Sequence, residues 1–194
     1  MAVLFISEDT IKKSTTINGN VDAELLLPYI KVAQDIHIHQ LLGTDLYDKL
    51  ASLITAGTMQ QTANDDYETL IDKYVQPVLI HYSLYECLPF LSYKIMNKDL
   101  VRKISEQSSA ASLEDLKYLR GIVLNTAEYY AERLIEWLRN NNDKYPEYTS
   151  NTGADLSPTK EAYFSGMNLQ AGIQGKAQKG ITLRNFFKAN EIGY

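Results

Sequence analysis

Residues 112–137, SLEDLKYLRGIVLNTAEYYAERLIEW, carry the pattern that decides the fold. Leu116, Leu119, Val123, Ala127, Tyr130, Leu134 and Trp137 recur at spacings of three and four. That rhythm puts them on one side of an α-helix of roughly six turns. The opening Ser112-Leu-Glu-Asp115 is close to a capping box, with a hydroxyl to accept free N–H groups and acids at the positive helix end. Three asparagines at 140–142 and Pro146 finish the segment.

Working outward, three more segments read as helices. In residues 22–42, Leu25, Tyr29, Val32 and Ile36 form a stripe that Leu26, Ile30 and Ala33 widen. Asn20 or Asp22 can cap its start, and Gly43 is placed to end it in a left-handed conformation. Thr44 then caps a helix over residues 45–56, with Leu46, Tyr47, Leu50, Leu53 and Ile54 inward, and Gly57 stops it. Residues 65–88 carry Tyr67, Ile71, Tyr74, Val78, Tyr82 and Tyr85 at helical spacing. Pro77 lies inside this helix and predicts a kink, and Pro89 predicts its end or a second bend before a short segment, 90–96. The serines at 105, 108, 109 and 112 suggest a loop, with a short strand near 101–104. No strand pattern matches the helical ones in strength. The expected fold is all-α: a bundle of four main helices over residues 1–144.

The remainder reads differently. The 194 residues are 45% hydrophobic and 22% charged, which excludes a fully disordered or collagen-like chain. Residues 145–194 hold six of the ten glycines, and 166–180 read GMNLQAGIQGKAQKG, without lasting helical or strand period. This stretch is expected to be a long, glycine-rich, largely irregular C-terminal arm. With five Lys/Arg and four Asp/Glu it is about +1, against about −6 for the body. It is too apolar to remain in water: Tyr163, Phe164 and Met167 precede Ile181, Leu183, Arg184, Phe186, Phe187 and Lys188, and Tyr194 follows. These ten residues are the expected inter-subunit and partner contacts. The piece 180–188, GITLRNFFK, is the best anchor, because it combines paired aromatics with cations suited to an acidic partner.

Catalytic and metal chemistry finds little support. The chain lacks the Gly-x-Ser-x-Gly elbow, the phosphate loop and a dinucleotide fingerprint after a strand. His37 and His39 point roughly 200° apart on one helix and cannot share a metal. One is expected to pack and the other to face solvent or a partner. His81 lies on another helix and would need further ligands, and the only cysteine, Cys87, sits among apolar residues as an inert core thiol. No Glu-x-x-His motif is present for a two-iron bundle site. Glu128, Glu132 and Glu136, at i, i+4 and i+8, read as a solvated face whose mild repulsion Arg133 and Arg139 can offset. The chain is expected not to be an enzyme and to hold no cofactor or metal. The single cysteine excludes an internal disulfide. The net charge of −5 argues against wrapping a polyanion. The apolar runs are too short to span a bilayer, and the opening MAVLFISEDT does not resemble a secretory signal. The fourteen tyrosines suit either a wet core boundary or extensive contacts between chains.

Residues 4–11 (LFISEDTI), 17–22 (INGNVD) and 27–47 (LPYIKVAQDIHIHQLLGTDLY) resemble the short helical head–tail connector proteins of tailed bacteriophages, those of crAss-like and related phages of Bacteroidetes hosts above all. Residues 112–120 (SLEDLKYLR), 125–130 (NTAEYY), 145–148 (YPEY) and 163–166 (YFSG) fit the same pattern. The resemblance implies a structural virion protein made in the host cytoplasm. It implies a ring of twelve copies docked under the portal as a neck adaptor, touching the portal and adjoining neck and tail rings. DNA would cross the lumen during genome ejection without specific contact, and no membrane is involved. Two other readings compete: a small helical enzyme using His37, His81, Glu86 and Glu128, and a helical adaptor unrelated to virions.

Overall fold

The computed structural model describes residues 3–17, 19–95, 100–102, 112–150, 152, 153 and 155–159. Six helices account for most of them. Helix α1 (Glu8–Ser14) was not foreseen. The Ser7 hydroxyl accepts the Thr10 N–H, acids open the helix, lysines close it, and Ile11 buries its inner side. Helix α2 spans residues 23–42 as Ala23–Ala33, a π-helical turn Gln34–Ile38, and His39–Leu42. Helix α3 is Thr44–Thr55. Helix α4 spans 65–92 as Asp65–Leu70, a π-helical turn Ile71–Val75, and Gln76–Ser92. Helix α5 is Leu113–Asn140, and α6 is Pro146–Ser150.

Two helices depart from the sequence reading. In α2 the buried set is Leu26, Ile30, Ala33, Gln34, Ile38, Leu41 and Leu42, a stripe at three- and four-residue steps that runs through the π turn. Val32 and Ile36, expected inside, lie off that stripe on the surface. In α4 the π turn ends where Gln76 begins, so Pro77 occupies the opening of an α-helical segment. There its missing N–H costs least. Pro89 does not end the helix. It continues to Ser92, where the Tyr93 N–H bonds back to the Pro89 carbonyl.

Helix α4 is the centre of the bundle, packed against α5 and α2, with α1 touching both α2 and α4. Val75, Val78, Leu79, Leu134 and Leu138 are fully buried along the α4–α5 core. Beyond Ser92 the chain enters a two-stranded antiparallel ribbon, β1 (Tyr93–Ile95) with β2 (Leu100–Arg102), pairing Tyr93 with Arg102 and Ile95 with Leu100. The expected capping box is present: Ser112 accepts the Asp115 N–H at 3.0 Å, and Asp115 accepts the Ser112 N–H at 2.9 Å.

The body does not stop at residue 144. Tyr145 and Tyr148 are buried in the core. The Tyr145 hydroxyl donates to the Asp66 carbonyl at 2.9 Å, and Tyr67 donates to Glu147 at 2.8 Å. The following strap returns to the α2–α3 junction. Thr152 N–H donates to Asp45 at 2.8 Å, Thr44 and Leu156 exchange two hydrogen bonds of 2.9 Å, and Thr159 N–H reaches the Gln40 carbonyl at 2.8 Å. The expected boundary at 144/145 therefore falls inside the packed unit. Residues 160–194 lie outside the described residues. With them go all ten expected contact residues: Tyr163, Phe164, Met167, Ile181, Leu183, Arg184, Phe186, Phe187, Lys188 and Tyr194.

Candidate functional site

The most conspicuous feature among the described residues is the outer side of α5. Residues 113–122 bury only Leu116 fully. Tyr118 is 72% exposed, Leu119 49%, Ile122 46% and Tyr129 62%. Leu119 was expected inside. Among the described residues the stripe buries Leu116, exposes Leu119 and turns inward again from Val123. Tyr118, Ile122 and Tyr129 share one face at helical spacing, and the same face continues into Glu132 and Glu136. Burial, together with the charges of Glu128 and Glu136, raises the Glu132 carboxyl above the usual carboxylate range. The expected offset by arginine is missing: Arg133 lies over the Tyr74 ring at 5.0 Å. Among the described residues no ion pair involves Glu128, Glu132 or Glu136. The face is thus apolar and aromatic in one half and acidic in the other.

A polar cluster underlies the exposed half. The π turn of α2 carries His37, whose Nε2 lies 3.1 Å from Glu86 Oε1 on α4. The His37 ring stacks on Tyr82 at 3.8 Å and 7°. From α5, the Arg120 guanidinium sits 4.0 Å from the Tyr85 ring centroid and 3.9 Å from Glu86. Burial lowers the His37 pKa, and the Glu86 carboxylate opposes this without reversing it. The cluster therefore ties the start of α5 to α4 and α2 while its other side faces solvent.

Of the four residues weighed for catalysis, the fold brings His37 and Glu86 together. His81 instead stacks on Tyr130 at 5.2 Å, and Glu128 lies near Tyr82, helping burial push that hydroxyl up to about 12. Both His37 and His39 are half-buried and partnered, contrary to the expected division. His39 Nε2 meets the Thr44 hydroxyl at 2.9 Å and stacks on Tyr47 at 4.6 Å. Cys87 is buried, donates to the Leu84 carbonyl at 3.4 Å, and has its thiol pushed up to about 12 by burial. Among the described residues, no group of three or more His, Cys, Asp and Glu is placed to hold a metal ion, and no helix is long and apolar enough to cross a membrane. A cleft of about 460 Å³ lies between the α1–α2 loop and the end of α4, floored by Leu25, Leu84, Leu88 and Leu91.

The tyrosines divide clearly. Tyr29 stacks on Phe90, Tyr74 on Trp137 and Tyr67 against Tyr145, so many of them build internal ring pairs. Tyr118 and Tyr129 remain largely outside. Gln34 escaped the sequence reading. It is fully buried, accepts the Phe5 N–H at 2.8 Å, and donates to the Val3 carbonyl and the Tyr47 hydroxyl, each at 2.8 Å. A polar residue amid the apolar run of α2 was its only signal.

Residues 38–157 match the sequence profile of DUF6712, a family of unknown function. No curated protein and no solved structure compared with the chain matches it. The profile covers the α2–α3 junction, the central α4, the whole of α5 and most of the returning strap. Matching more than half of its length, the chain belongs to the DUF6712 family.

Proposed function

We propose that the chain is a structural subunit of a bacteriophage head–tail connector, a ring of twelve copies at the portal–tail junction through which the genome passes. The observation that carries this reading is the outer face of α5, where Tyr118, Ile122 and Tyr129 stand in solvent on a helix firmly capped and anchored at Arg120. Large apolar groups held on a rigid element suit a subunit that a neighbour will cover. The likeness of residues 4–11, 17–22 and 27–47 to phage connector proteins supports a place in the virion. In this reading Tyr163, Phe164, Met167, Tyr194 and the 181–188 segment make the contacts with neighbouring copies and with partner proteins of the neck. The acidic body lets a polyanion slide past, since binding phosphate needs a basic patch.

Proteolysis tests this. The isolated full chain is expected to be a monomer or weak oligomer whose tail is cut readily, while in purified virions the same tail is protected. An isolated monomer whose residues 160–194 already resist protease, or virions lacking the chain, would overturn the reading. A second reading, a small helical enzyme, draws on the His37–Glu86 pair alone. It requires a turnover that Glu86→Gln abolishes without changing assembly.

A further inference from the structure

The α5 face joins two chemistries that one segment of this chain complements. Residues 160–194 carry Lys160, Lys176, Lys179, Arg184 and Lys188 against Glu161 and Glu191, a balance of +3. The chain's net charge is −5, so residues 1–159 carry −8. Within the positive tail, 181–188 places Ile181, Leu183, Phe186 and Phe187 beside Arg184 and Lys188. The α5 face offers exposed Tyr118, Ile122 and Tyr129 beside Glu132 and Glu136, acids that no ion pair among the described residues engages. From residue 118 to residue 136 a helix rises about 27 Å, and eight residues of chain reach at most about 28 Å. Thr159, the last described residue, is pinned to Gln40. From there to residue 181 the chain can reach roughly 70 Å, enough to leave its own body for an adjoining one.

We propose that the outer face of α5 is the receptor for segment 181–188 of a neighbouring copy, its apolar side chains covering Tyr118, Ile122 and Tyr129 while Arg184 and Lys188 meet Glu132 and Glu136. This rests on the ring reading and specifies its subunit contact. Apolar burial provides the adhesion, and the paired charges fix the direction in which the segment lies. Because the contact joins two different surfaces, it repeats from copy to copy and closes as a ring when its rotation allows.

Photo-crosslinking of the full chain tests the inference. Benzoylphenylalanine replaces Phe187 in an equimolar mixture of ¹⁴N and ¹⁵N chains at high concentration. The expected products join heavy to light chains at the tryptic peptide 121–133. Tyr129→Asp combined with Glu132→Lys and Glu136→Lys should cut that yield at least tenfold while circular dichroism and Tm stay near wild type. Crosslinks confined to single chains, crosslinks mapping to the Leu25/Leu84/Leu88 cleft, or no heavy–light product would overturn it. Failure here with the chain still found as a ring in virions would leave the connector reading standing. Absence from virions would remove that reading whatever the crosslinks show.

Discussion

Pro158 lies so close to Gly43 that a Cβ added at position 43 would fall 2.6 Å from the proline Cδ and 2.9 Å from its nitrogen. Gly43 has φ +74° and ψ 162°, a region open essentially to glycine alone. One residue thus turns α2 into α3 and leaves room for the strap that follows α6. Gly43→Ala is expected to destabilise the protein by about 2–3 kcal/mol and to release the strap. Urea denaturation and amide exchange at Thr44 and Thr159 check both effects. Unchanged protection of those amides would contradict the pairing.

Gln34 is the internal tie between the N-terminal segment, α2 and α3. Gln34→Ala leaves the Phe5 N–H without its acceptor and should cost on the order of 3 kcal/mol. The exposed Gln40→Ala serves as control and should change stability by less than about 0.5 kcal/mol. Denaturant midpoints for the two variants decide the matter.

The two buried-side histidines set a pH dependence. Burial lowers the pKa of both His37 and His81 from 6.5. The unfolded chain therefore binds protons more readily below about pH 6.5. The contribution of these residues to stability is present above that pH and is lost as the pH falls through it. His37 faces Glu86 and Tyr82, and the Glu86 carboxylate favours its protonation against the effect of burial. His37→Gln should flatten the slope of stability against pH between 7.5 and 5.5. An identical slope in that variant would rule His37 out as its source.

Cys87 should behave as a core atom rather than a reactive group. With its thiol pushed up to about 12 and its side chain buried, it is expected to resist a thiol reagent in the native protein at pH 8 and to react fully in guanidinium. Rapid modification of the native protein would show that the end of α4 opens.

The long periodic segments were legible in the sequence because local spacing and tertiary burial agree there. The Ser112 cap and the turn at Gly43 were legible for the same reason, although Gly43 takes up an extended positive-φ conformation rather than the left-handed one expected. What escaped depended on partners distant in sequence. The inner face of α2 runs through Leu26, Ile30, Gln34 and Ile38 rather than Val32 and Ile36, a choice between two stripes that α1 and α4 make by packing on it. Tyr145 and Tyr148 read as the start of an arm because what holds this segment is distant in sequence: Tyr145 donates to the Asp66 carbonyl and Tyr67 donates to Glu147, some eighty residues apart in each case. Leu119 fits the α5 stripe by spacing, yet about half of it stays exposed among the described residues. The His37–Glu86–Arg120 cluster joins three helices, so no spacing within one of them could reveal it.

The outer face of α5 should separate stability from assembly. Replacing Tyr118 and Ile122 together with serine is expected to change stability by less than about 1 kcal/mol, since both are exposed, and to abolish assembly. Leu134→Ala, at a fully buried position on the same helix, should instead cost about 2–5 kcal/mol. Calorimetry and particle mass measured on the same samples check the two effects.

Electron cryomicroscopy of purified virions encoding this chain tests the central claim most directly. The account predicts a ring between portal and tail in which the six-helix body is recognisable and the Tyr118–Ile122–Tyr129 face of every copy is covered by a neighbour. Virions without the chain, or a ring in which that face remains bare to solvent, would contradict it.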